Sequence, residues 1–139
     1  MPSRRSPRNV LVVDASVAAP AVADGGPDGA RCRQRLRGER LAAPELLQLE
    51  VLSMLRRQVR RAELRPAQAE AAVVDLLDLP MVIYPTALLL RRIWQLRDNL
   101  TSYDACYLAL AEALGASLLT KDSRLAETPG VRCRVEVLA

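Results

Sequence analysis

The sequence contains no histidine. That removes Ser-His-Asp and Cys-His hydrolases, imidazole-held zinc and a histidine general base. Its three cysteines, Cys32, Cys106 and Cys133, are an odd number, widely spaced, with no C-x-x-C pair. This pattern argues against a secreted disulfide scaffold and a zinc ribbon, and fits a reducing compartment, the cytoplasm. Without a histidine beside it, Cys106 reads as a small core residue rather than a nucleophile. Lysine occurs once, at Lys121, among 20 basic residues; the arginine bias fits GC-rich coding better than function. No apolar run approaches the ~20 residues of a membrane span. The run at 10–13, interrupted by Asp14, is too short for a secretion signal, which needs about 7–15 apolar residues. Trp94, Tyr84, Tyr103 and Tyr107 are too few for a base-stacking platform and read as core or dimer-interface residues.

What remains is a chain of 139 residues, 50% hydrophobic and 26% charged, with a net charge of +4. A chain of this size makes one domain with a core that needs no disulfide or structural metal. Residues 1–8 read as a short, basic, disordered arm and 9–139 as a single domain. Residues 10–13 form a continuous β-branched run, the signature of a strand buried on both faces. A short helix is expected from about Ser16, a break at Gly25-Gly26-Pro27-Asp28, a helix over 30–36 and a short strand at 41–43. The stripe Leu47, Val51, Met54, Leu55, Val59 predicts a helix over 45–61, with Arg56, Arg57, Arg60 and Arg61 at the end the helix dipole favours. Pro66 opens a helix to about residue 79. A strand at 81–84, helices at 86–96 and 101–114, a Gly115 stop, and strands at 116–119 and 131–137 complete the reading. Strands alternating with helices predict α/β architecture with a mostly parallel sheet, whose ligand site lies beyond the carboxyl ends of the strands.

Four acids interrupt apolar patterns. Asp14 follows the first strand, and Asp122 stands three residues after Leu119. Both project at the carboxyl edge of the sheet. Glu50 shares a helix face with Leu46 and Met54, and Asp104 shares one with Leu108 and Ala111. A carboxylate on an inward face is costly unless it is paired, protonated or metal-bound. Four together repel one another, and a divalent cation relieves that. Oxygen ligands select Mg²⁺ or Mn²⁺, and such an ion can activate water at a phosphodiester. Singly, each acid has an ordinary reading: Asp14 and Asp122 as helix or turn caps, Asp104 in a capping box with Thr101, Glu50 paired with an arginine.

The segments VVDASV (12–17), LEVLSML (49–55), SYDACYLALAE (102–112) and LLTKDSRL (118–125) resemble, in order, the successive motifs of PIN-domain proteins, and most nearly the VapC toxins of bacterial type II toxin–antitoxin pairs. The resemblance implies a three-layer α/β/α domain around a mostly parallel sheet of four or five strands. It implies a Mg²⁺- or Mn²⁺-dependent endoribonuclease that cleaves RNA, is neutralised by a VapB-type antitoxin and forms a homodimer. The family's acidic positions fall on Asp14, Glu50, Asp104 and Asp122, and its hydroxyl positions on Ser16 and Thr120. On this reading Asp14, Asp104 and Asp122 hold the metal and Glu50 completes the cup, orienting water or a second ion. Ser16 and Thr120 support the carboxylates or the phosphate. Ser53 stands where such proteins often carry Asn. Lys121 reads as solvated, with a phosphate contact as the alternative.

Two competing readings use the same residues: a PIN-like RNA-binding module without catalysis, and a receiver-like domain phosphorylated at Asp14. Receivers carry adjacent acids near the first strand, where this chain has Asn9-Val10. A phosphatase of the D-x-D type would need an acid at Ser16.

Overall fold

The computed structural model describes residues 10–139; the expected basic arm at 1–8 lies outside them. Five strands, β1 (Leu11–Val13), β2 (Leu41–Pro44), β3 (Met81–Tyr84), β4 (Ser117–Thr120) and β5 (Val135–Val137), form one sheet in the order β3-β2-β1-β4-β5. Every pairing is parallel, with Leu11 opposite both Leu41 and Ser117. All the strands therefore end at one edge. β1 hands on to β2 on one side and lies beside β4 on the other, so the strand order reverses between β1 and β4, where α/β sheets open a crevice.

Six helices cover the sheet: α1 (Ala15–Ala23), α2 (Pro27–Leu36), α3 (Leu46–Arg60), α4 (Pro66–Asp78), α5 (Leu90–Gln95) and α6 (Ser102–Leu114). β1 is buried along its whole length, and Val12, Val17, Leu47, Val51, Leu108, Leu118 and Leu119 form the centre of the core. α6 buries an unbroken run from Ala105 to Ala111, because it lies across β1, β2 and β4. It closes at Gly115 with φ 62°, a left-handed turn that glycine enters without steric cost.

Several boundaries differ from the sequence reading. Gly26-Pro27 starts α2 instead of breaking the chain: Gly26 is the cap and Pro27 the first helical residue, where a missing N–H costs nothing. Asp24 fixes this start by accepting from Gly26 N at 2.7 Å and Gly29 N at 3.2 Å. The helix expected over 86–96 is a 3-10 turn, Thr86–Leu89, running into α5. β4 runs to Thr120. β5 spans only Val135–Val137, because the preceding segment is diverted: Arg132 N donates to Glu112 Oε2 at 2.7 Å instead of entering the ladder. Among the described residues no helix is long and apolar enough to cross a membrane.

Candidate active site

The end of β1 delivers Asp14 and the end of β4 delivers Thr120, side by side across the strand reversal. Asp14 N still donates to Leu119 O at 3.2 Å, which extends the β1–β4 ladder by one residue. Asp14 is both the N-cap of α1 and a wall of the crevice. Its Oδ1 accepts from Ser16 N at 3.0 Å and from the Ser16 hydroxyl at 2.5 Å. Its Oδ2 accepts from the fully buried Thr120 hydroxyl at 2.5 Å. Both hydroxyls are then anchored from behind: Thr120 Oγ1 accepts from Asp122 N at 3.0 Å and Ser16 Oγ from Lys121 N at 2.9 Å. Three side chains, Asp14, Ser16 and Thr120, and the Lys121 and Asp122 amides thus lock the two strand ends into one arrangement.

A cavity of about 460 Å³ opens over this edge, lined by Asp14, Ser16, Glu50, Ser53, Asp104 and Asp122 together with Met54, Arg57, Tyr103 and Tyr107. All four acids singled out in the sequence reach it from four different elements. α3 supplies Glu50, the first turn of α6 supplies Asp104, and Asp122 caps the 3-10 turn Ser123–Glu127. Thr101 caps α6 by accepting from Asp104 N at 3.2 Å, and Asp104 lines the cavity from the first turn of that helix.

The electrostatics follow from burial and crowding. Desolvation raises the Asp14 carboxyl above its ordinary value against the pull of the Ser16 and Thr120 hydrogen bonds, and Glu50 adds repulsion. Desolvation also raises Asp104, helped by the charge of Asp122. Asp122 moves the other way, chiefly because the Arg124 side chain hydrogen-bonds it. Two acids are therefore raised chiefly by burial, with a smaller push from neighbouring charge, and one is neutralised by a neighbour.

One participant escaped the sequence reading. Tyr107 is buried in α6, and its hydroxyl donates to Glu50 Oε1 at 2.5 Å. Its phenol is pushed upward by burial and then by Glu50, so it remains a donor. The D-A-x-Y spacing was visible, but nothing in it shows that the ring spans from α6 to α3.

One expectation needs correction, and another narrows. Lys121 is not simply solvated: Nζ pairs with both Asp28 oxygens at 2.5 and 2.6 Å, tying β4 to α2. Trp94 is 66% exposed and Tyr103 61% exposed, so neither is core. Of the four arginines closing α3, Arg57 lines the cavity.

A hard divalent cation suits this donor set, in which carboxylate and hydroxyl oxygens predominate and no imidazole or thiolate lines the cavity. The carboxylates share the cavity without closing on one point. Among the described residues no group of three His, Cys, Asp or Glu side chains forms a metal site. Asp122 is turned to Arg124, so binding a cation through Asp122 requires Arg124 to yield, whereas Tyr107 engages a single oxygen of Glu50.

The PIN domain family model matches residues 11–131. The ribonuclease VapC9 of Mycobacterium tuberculosis is 40% identical over 129 residues, covering 93% of this chain and 98% of its own. The ribonuclease VapC1 of the same organism is 43% identical over 128 residues, covering 91% and 96%. Among solved structures, the DNA-bound VapBC of Salmonella typhimurium superposes with a TM-score of 0.66 at 15% identity, covering 93% of this chain and 98% of that one; this likeness is one of fold. With the family model spanning most of the chain and relatives this similar along their full length, the chain belongs to the PIN-domain family and, within it, to the VapC ribonucleases.

Proposed function

We propose that this protein is a divalent-cation-dependent endoribonuclease toxin, restrained by a VapB-type antitoxin. The observation that carries the reading is the meeting of Asp14, Glu50, Asp104 and Asp122 in one cavity, in a chain similar to VapC ribonucleases along its length. Asp14, Asp104 and Asp122 would hold Mg²⁺ or Mn²⁺, and Glu50 would complete the acidic cup. When bound, such an ion supplies water activation and neutralises charge on the phosphodiester.

The chain's own residues prepare the site for that ion. The Ser16 and Thr120 hydroxyls hold the Asp14 carboxylate in one orientation, so it need not reorganise during the reaction. Tyr107 holds one oxygen of Glu50, a residue of the cavity lining, so that the carboxylate can orient the attacking water and accept its proton. Arg57 presents a positive charge to the incoming RNA backbone. Ser53, beside Glu50 on α3, can hydrogen-bond water or the substrate.

An antitoxin partner is supported by the solved VapBC complex that shares this fold. A homodimer is supported by the exposed apolar side chains Leu90, Trp94 and Tyr103, which line one cavity at α5 and α6, the kind of apolar exposure that marks interaction surfaces. Work on RNA and three free cysteines suit the cytoplasm.

The test is cleavage by antitoxin-free protein. RNA should be cut in Mg²⁺ or Mn²⁺ and spared in EDTA. Asp14→Asn and Asp122→Asn should each lower the rate by orders of magnitude while RNA binding survives. RNA binding with no cation-dependent cleavage by the wild type would leave a non-catalytic PIN module instead.

A further inference from the structure

Arg124 grips an acid of the cavity. Its Nη2 donates to Asp122 Oδ2 at 2.5 Å, and its Nε lies 3.0 Å from Oδ1 and 3.2 Å from Oδ2. No packing holds it there: the Arg124 side chain is 81% exposed and that of Asp122 29%. Its charge also reaches Asp104, where it opposes the push from Asp122. A monovalent cation thus already stands against one of the carboxylates that a divalent ion would use, and its charge is felt at a second.

We propose that Arg124 is an exchangeable counter-ion of the active site, which occupies Asp122 until a divalent cation takes that carboxylate and then turns to a phosphate of the bound RNA. The inference rests on the cation-dependent reading above. Three features favour exchange over a fixed structural pair. An exposed ion pair contributes little to stability, so releasing it costs little. The planar fork that fits a carboxylate fits a phosphate equally well. The other supports of the cup, the Ser16 and Thr120 hydroxyls, are buried or anchored from behind and stay where they are. Arg124 is therefore the movable charge, and its backbone N–H, which donates to Asp122 Oδ1 at 3.0 Å, keeps the turn in place while the side chain leaves.

The experiment compares wild type, Arg124→Gln and Arg124→Lys. Mn²⁺ binding is followed by the loss of the free-ion electron paramagnetic resonance signal. Binding of a single-stranded RNA is followed by fluorescence anisotropy across a salt series, in Ca²⁺ and in EDTA. Arg124→Gln should bind Mn²⁺ roughly two- to fivefold more tightly, because the competing charge is gone. The same variant should bind RNA more weakly in Ca²⁺, with the slope of log K against log salt reduced by about 0.7, the share of one phosphate contact on a single strand. In EDTA that slope should match wild type, because Arg124 is then engaged by Asp122. Arg124→Lys should fall between the two. Unchanged or weaker Mn²⁺ binding by Arg124→Gln, with normal binding by wild type, would overturn the exchange and leave the cation reading standing. Wild type that binds no Mn²⁺ would overturn both.

Discussion

Replacing Thr120 by valine keeps the shape of a fully buried side chain and deletes one hydroxyl. That hydroxyl has two roles: it donates to Asp14 Oδ2 at 2.5 Å and accepts from Asp122 N at 3.0 Å. Losing a hydrogen bond to a charged, buried carboxylate costs about 1.5–3 kcal/mol, and losing one to a partly wet amide about 0.5–1.5 kcal/mol. Thr120→Val should therefore destabilise the cation-free protein by about 2–4 kcal/mol, or about 8–15 °C in Tm for a chain of this length. Thr120→Ser keeps the hydroxyl and should cost about 1 kcal/mol, the price of one buried methyl group. The loss should also depend on pH in a definite sense. Burial already raises the Asp14 carboxyl and the Thr120 bond pulls it back, so the variant raises it further. Above that folded value the charged oxygen lacks its donor and the full penalty applies. Below the ordinary value of 3.8 the acid is protonated in both proteins, and only the loss of neutral hydrogen bonds, about 0.5–1.5 kcal/mol each, remains. Urea unfolding of both proteins in EDTA, at neutral pH and just below that value, measures the difference. A penalty under about 1 kcal/mol at neutral pH, or one that does not shrink with acid, would refute the locked arrangement of the two strand ends.

Tyr107→Phe keeps the buried ring and frees Glu50; cleavage should fall about tenfold or more while urea unfolding shows stability within about 1 kcal/mol of wild type. Arg92 holds Glu112 through two contacts at 2.7 and 3.1 Å, in a pair whose side chains are only 19% and 10% exposed. Arg92→Met should cost about 1–3 kcal/mol at neutral pH. The Glu112 carboxyl lies below its ordinary 4.5: desolvation opposes this, but the Arg92 and Arg132 bonds outweigh it. This contribution is complete above 4.5 and is lost as pH falls through the lowered value, so acid titration of stability should bring the two proteins together. A Cβ on Gly29 would stand 1.9 Å from the Asp24 carbonyl oxygen; Gly29→Ala should lower stability by more than about 2 kcal/mol in the same assay. Mg²⁺ or Mn²⁺ at a hundredfold excess over its dissociation constant should stabilise the wild type by about 2.7 kcal/mol, and Asp14→Asn should lose most of that response in differential scanning fluorimetry.

The parallel sheet and the acidic cavity were legible because both rest on strong local signals. The apolar run at 10–13 has one reading as a buried strand, and an acid directly after such a strand falls at its carboxyl edge whatever the rest of the chain does. Glu50 and Asp104 were found by breaks in helical stripes, which the 3.6-residue period makes visible. The failures share one cause, dependence on a distant partner. Gly26-Pro27 starts a helix because the Asp24 carboxylate accepts from the Gly26 and Gly29 amides. The strand expected from 131 begins only at Val135, because Glu112 takes the Arg132 amide. Lys121 finds Asp28 ninety-three positions away, and Tyr107 finds Glu50 across two helices. The grip of Arg124 on Asp122 was hidden for a different reason: a spacing of two faces the side chains together only in the turn that Asp122 itself caps.

The account stands on the cavity acids holding one cation together. Diffraction from a crystal soaked in Mn²⁺, recorded at the manganese absorption edge, tests this directly. The account predicts an anomalous peak in the cavity within ligand distance of Asp14 and at least one of Asp104 and Asp122, absent from Asp14→Asn crystals treated identically. A cavity without a peak at a Mn²⁺ concentration that supports RNA cleavage, or a peak unaffected by Asp14→Asn, would contradict it.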